Sequence, residues 1–145
     1  MALDKLQQAQ IVHFDLKLDN ILFHGKTFDP RIIDFGISIP VKNVTTSNLE
    51  NYFYSYAPEY YVWCLDIHII CFLTQETNHT LTKEEAETIA TLYVGNHRAL
   101  EFFPKKFTRQ YLDLCIAQVK RYASKPKEDL IKELIRYSNT WDNYS

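Results

Sequence analysis

Apolar residues follow two regimes along this chain. In the second half they recur every three or four positions, the period of a helix with one buried face. Thr82, with Glu85 three residues later, forms a capping box, and Ala86, Ile89, Ala90 and Tyr93 then line one face until Gly95-Asn96 stops the helix. A second helix carries Phe107, Tyr111, Leu114, Cys115 and Tyr122. A third opens at Pro126, a first-turn position, with Glu128 and Asp129 at its positive end, and buries Leu130, Ile131, Leu134 and Ile135. Between the regimes, residues 60–74 are apolar almost throughout, which predicts a helix buried on all sides. That run includes Asp66 and His68 and is shorter than the roughly 20 residues of a membrane span.

In the first half the apolar residues come in short groups. Leu3, Leu6 and Ala9 predict a helix over 2–10, and Ile11-Val12 a short extended piece. Ile21-Leu22-Phe23 and Arg31-Ile32-Ile33 bracket the turn signals Gly25 and Asp29-Pro30, so they predict a hairpin. Residues 37–56, with Pro40 and the polar run Thr45-Thr46-Ser47-Asn48, are the least regular. The fold class is therefore mainly α with a small β-hairpin region, in one domain spanning residues 1–145.

Composition narrows the function. Apolar residues make up 46% and charged residues 23%, an ordinary globular balance. A net charge of −2 offers no basic field for nucleic acid or an anionic membrane. Three scattered cysteines, Cys64, Cys71 and Cys115, with no C-x-x-C pair, exclude a disulfide framework or a zinc site and suit free thiols in a reducing, cytoplasmic setting. Three glycines in the whole chain leave no room for a glycine-rich phosphate loop.

The candidate chemistry is concentrated in His13-Phe14-Asp15-Leu16-Lys17-Leu18-Asp19-Asn20 and Ile33-Asp34-Phe35-Gly36. The predicted hairpin brings these two stretches side by side. An acid, a lysine and an amide in one loop, facing a second acid, suit phosphoryl transfer, where catalysis is mostly positioning and charge neutralisation. Asn20 and Asp34 supply oxygen ligands for magnesium, Lys17 a cation for a phosphoryl oxygen, and Asp15 an acceptor for the proton of an attacking hydroxyl. His13 reads as a packed residue that holds the loop. Asp66, with apolar neighbours on every side, reads as a buried, hydrogen-bonded carboxylate.

These two stretches, followed by Ala57-Pro58-Glu59, resemble the catalytic loop, magnesium loop and activation-segment end of eukaryotic-type protein kinases, in order and in rough spacing. The wording of the motifs is similar to that of kinases from large DNA viruses. The resemblance implies a protein-kinase-like C-terminal lobe that moves the γ-phosphoryl of ATP, with Mg2+, to a Ser/Thr hydroxyl of a protein substrate. It implies Asp15 as catalytic base, Lys17 as the contact to the transferred phosphoryl, and Asn20 and Asp34 as magnesium ligands. Phe35 and Gly36 complete the magnesium loop, and Asp66 matches the helix aspartate that accepts hydrogen bonds from the catalytic-loop backbone. Lys17 follows the serine/threonine pattern.

The chain departs from the family at several points. Phe14 stands where an arginine commonly precedes the catalytic aspartate, and the segment from Gly36 to Ala57 is short. Arg121 and Arg136 are the candidates to pair with Glu59. The glycine-rich loop, the strand lysine and its glutamate partner are missing, so the resemblance covers the C-terminal lobe alone and implies a fragment with little autonomous activity. A lone lobe would also expose an apolar inter-lobe face that a partner could cover. Two other readings stay open: a catalytically silent kinase-like binding module, and a small-molecule kinase of the aminoglycoside or choline type. Lys17 and Ala57-Pro58-Glu59 speak against the latter.

Overall fold

A computed structural model describes residues 2–75 and 80–142. Its centre is the helix α2, Leu65–Gln75, numbered after a short N-terminal helix α1, Ala2–Ala9. Ile67, Ile69, Ile70, Cys71 and Leu73 are all buried, on every side of α2. A helix apolar all round has no solvent face to offer and becomes the core of its domain. Against it pack α3 (Lys83–Asn96) and α5 (Lys127–Ile135), and α4 (Lys105–Lys120) packs on α3.

Local rules set the helix ends. Thr82 caps α3: its hydroxyl accepts from the Glu85 N–H, while the Glu85 carboxylate accepts from the Thr82 N–H at 2.8 Å. Pro126 stands at the N-cap of α5, one position before the first turn where the sequence pattern put it. In α4 the pattern was only partly informative. Cys115 and Val119 are buried, whereas Leu114 and Phe107 are exposed. The buried stripe of α4 is therefore narrower than its apolar content.

The apolar run 60–74 is helical only from Leu65. Residues 57–63 form turns, with the Tyr60 N–H bonded to Ala57 O and the Trp63 N–H to Tyr60 O. The reason is tertiary. The Trp63 indole N–H donates to Phe14 O at 2.8 Å, and the Tyr60 hydroxyl donates to Asp15. Both bonds reach back to the polar loop, and they outweigh the helical preference of an apolar run.

The strands form two separate antiparallel ladders. β2 (Ile21–Phe23) pairs with β3 (Pro30–Ile32) in the expected hairpin, with Phe23 opposite Pro30 and Ile21 opposite Ile32. β1 (Ile11–Val12) pairs with β4 (Ile39–Pro40), a ladder that no local pattern announced. It returns the chain to the end of α1 and buries Val12 and Ile39. The architecture is thus mainly α with a small β region. Among the described residues no helix is long and apolar enough to cross a membrane. All three cysteines are free, with Cys71 and Cys115 buried.

Candidate active site

The loop between β1 and β2 carries Asp15, Lys17 and Asn20, and its shape is set by the groups that bind its backbone. Phe14 has φ 71°, a left-handed conformation that is costly for a bulky side chain. Three contacts hold it there. Its N–H donates to Asp142 Oδ1 at 3.3 Å, its carbonyl accepts from Trp63, and its ring stacks on the Trp63 indole with centroids 4.8 Å apart. The other Asp142 oxygen accepts from the His13 N–H. One carboxylate therefore receives two successive main-chain donors. Burial pushes the Asp142 carboxyl above its usual range, and these two hydrogen bonds oppose that rise.

Asp142 performs the task that the sequence reading gave to Asp66. Asp66 lies in the first turn of α2, where its carboxylate accepts from Gln118 Nε2 of α4 at 3.3 Å. Burial raises its pKa, but the group points to a helix–helix seam rather than to the loop. Asp142 lies 128 residues from Phe14 and had no local signal. Its neighbour Trp141 is buried and packs edge-on against Phe53, which anchors the segment that delivers the carboxylate.

His13 is fully buried and joins the two stretches. Its Nδ1 accepts from the Asp15 N–H at 3.3 Å, and its Nε2 lies 2.8 Å from Ile33 O. Those partners require the Nε2-protonated tautomer, which donates to the carbonyl. The ring also meets Phe35 edge-on at 4.8 Å. His13 thus packs and holds the loop, as its place in the sequence leads one to expect.

Asp15 is the hub of the site. Asn20 Nδ2 donates to its main-chain carbonyl at 2.8 Å and to Oδ2 at 3.0 Å. Lys17 Nζ lies 3.1 Å from Oδ1, and the Tyr60 hydroxyl donates to the same oxygen. Burial alone would raise the Asp15 pKa. The bonds from Tyr60, Lys17 and Asn20 outweigh it and hold the carboxyl below the usual value of 3.8. The partner effect appears on Lys17, whose pKa is raised by its hydrogen bond to Asp15.

Asp34 is built differently. The Ile33 N–H donates to Asn20 O at 2.9 Å, so the end of β3 is tied to the end of the loop. The next residue, Asp34, takes φ 62°, which a short polar side chain tolerates. Its Oδ1 accepts from the Gly36 N–H at 3.4 Å, and a side chain at Gly36 would place a Cβ 3.3 Å from that oxygen. Asp34 is exposed, as are Leu18, Leu22, Phe23, Phe28, Ile33, Phe35 and Ile37 in and around the loop and the hairpin.

Asp15, Lys17, Asn20 and Asp34 thus fall into one region. Asp34 offers a carboxylate and Asn20, with its amide nitrogen turned to Asp15, an amide oxygen. That donor set fits magnesium, which takes one or two protein oxygens and completes its shell with phosphates and water. Among the described residues no group of three or more His, Cys, Asp and Glu gathers as a metal site, so a nucleotide would have to bring the remaining ligands. Glu59 is exposed, and among the described residues neither Arg121 nor Arg136 pairs with it. Tyr60, Trp63 and Asp142 are the contributors that sequence reasoning missed.

A family model described as the protein kinase domain matches residues 1–140. The chain therefore belongs to the protein kinase domain family. No curated protein and no solved structure matches it.

Proposed function

We propose that this kinase-family chain transfers the γ-phosphoryl of ATP, with Mg2+, to a serine or threonine hydroxyl of a protein. The observation that carries the reading is the Asn20 O to Ile33 N–H bond of 2.9 Å, which ties the Asp34 strand end to the loop holding Asp15, Lys17 and Asn20. In this reading Asp15 accepts the proton of the attacking hydroxyl and Lys17 faces the transferred phosphoryl. Asn20 and Asp34 hold magnesium, which when bound neutralises charge on the phosphates. The low pKa of Asp15 keeps it ionised at neutral pH, as a proton acceptor must be. The sequence supplies no phosphate-gripping glycine loop, so the chain by itself works slowly. A partner that covers the exposed apolar hairpin face would raise the rate.

The test is a radiometric phosphotransfer assay on the 145-residue chain with Mg·ATP and dephosphorylated casein. Slow, magnesium-dependent labelling of serine and threonine, abolished in Asp34→Ala, is expected. Labelling that survives Asp34→Ala sinks the assignment of Asp34. Robust turnover would refute the slow-alone expectation. Phosphorylation of an aminoglycoside or choline in place of casein would favour the small-molecule kinase. Complete silence would favour the binding module, the second reading, which rests on the missing glycine loop.

A further inference from the structure

An attacking hydroxyl in this reaction must donate its proton to Asp15 while lying near a cation that faces the phosphoryl group. One hydroxyl of the chain already meets both conditions. The Tyr60 phenol donates to Asp15 Oδ1, the same oxygen that Lys17 Nζ approaches to 3.1 Å. The contact is built into the site. The Tyr60 ring packs edge-on against Trp63 with centroids 5.0 Å apart, and Trp63 is itself fastened to the carbonyl of Phe14, the residue before Asp15. The turn of residues 57–60 closes with the Tyr60 N–H on Ala57 O at 3.0 Å.

We propose that Tyr60 occupies the acceptor-hydroxyl position and controls which outside hydroxyl reaches Asp15. The inference rests on the transferase reading above. A substrate hydroxyl and the Tyr60 phenol compete for one carboxylate oxygen, so an acceptor binds productively only after the phenol has swung away. Since only the phenol oxygen is at issue, Tyr60→Phe removes the competitor and keeps the ring on Trp63. Displacing a hydrogen bond to a charged group costs enough to depress acceptor use by roughly tenfold or more.

The experiment compares the full chain with Tyr60→Phe and, should the ring itself matter, with Tyr60→Leu. Phosphoryl transfer to dephosphorylated casein is measured at varied casein and varied Mg·ATP. Tyr60→Phe is expected to raise kcat/KM for casein about tenfold, through a lower casein KM, with the KM for ATP unchanged. A Tyr60→Phe protein no more active than the parent, or one whose gain lies in the KM for ATP, overturns the inference and leaves the kinase reading standing. Silence from the parent and both variants overturns the transferase reading and the inference together.

Discussion

The two acids of the site sit in opposite surroundings. Asp15 is bonded to Tyr60, Lys17 and Asn20, and its loop is held from beneath by Asp142 and Trp63. Asp34 stands exposed at the end of a three-residue strand, with one hydrogen bond from Gly36. Asp15 and Lys17 are therefore organised by the protein itself. Asp34 is only placed beside them, and under the proposed function magnesium and nucleotide would complete its geometry. In phosphoryl transfer that division is physically reasonable. Proton acceptance needs a fixed pKa and direction, whereas magnesium arrives with the nucleotide and carries most of its own shell.

The comparison can be broken in order of effect. The largest is expected from Phe14→Arg, the residue common at this place in the family. The side chain lies among Trp63 and Phe53 with 4% of its surface exposed, so an arginine there is a buried, unpaired charge. It should cost about 3–5 kcal/mol in urea unfolding. A loss below about 1 kcal/mol would mean that the loop is not locked to the core.

Asp142→Ala should follow, at about 2–3 kcal/mol, because it strands the buried N–H groups of His13 and Phe14. Amide exchange should quicken at those two residues and not in the hairpin. Equal acceleration in both would erase the distinction drawn above.

Asp15→Asn gives a pH-dependent effect. The folded pKa of Asp15 lies below its unfolded value of 3.8, so its ionised form stabilises the fold above that value. That contribution is lost as pH falls through the lower, folded pKa. The stability gap between parent and Asp15→Asn should therefore be widest near neutrality and shrink below about pH 4. A gap independent of pH would show that Asp15 is not held by its partners. Asp66 and Asp142 act in the opposite sense, since burial raises both and stability falls as pH climbs through their titration.

The smallest effect is expected in the hairpin. Phe28 is exposed and has φ 56°, so Phe28→Gly should relieve a left-handed bulky residue and stabilise by up to about 1 kcal/mol. Destabilisation would mean that the hairpin packs more tightly than its exposure suggests.

How much of this was legible in the sequence follows from the range of the signals. The capping box at Thr82 and the buried Ala86, Ile89, Ala90 and Tyr93 of α3 are local and were legible, whereas Val94 is buried as well and the helix runs on through Gly95 and Asn96 to its C-cap at His97. The order of Asp15, Lys17, Asn20 and Asp34 was legible because a motif stores it in a few adjacent positions. Asp142 was not, because the bond it makes spans most of the chain and its neighbourhood is merely polar. Asp66 drew the role instead because it sits in an apolar run. Burial, however, does not say which neighbour a carboxylate faces. Tyr60 was hidden in an aromatic stretch, where one phenol among ten tyrosines has no distinguishing pattern. The β1–β4 ladder is two residues per strand, too short for any period to show.

The bond from Asp142 to residues 13 and 14 also sets a timetable. Chains emerge from the ribosome N-terminus first, and contacts of long sequence separation form only once both partners exist. The loop that carries Asp15 leaves the ribosome 128 residues ahead of its acceptor, so the N–H groups of His13 and Phe14 wait for Asp142, which follows α5 and Trp141. Until then Phe14 has only Trp63 to hold its left-handed turn. During synthesis this loop is thus made before the helices α2 to α5 and is among the last segments to take its final shape.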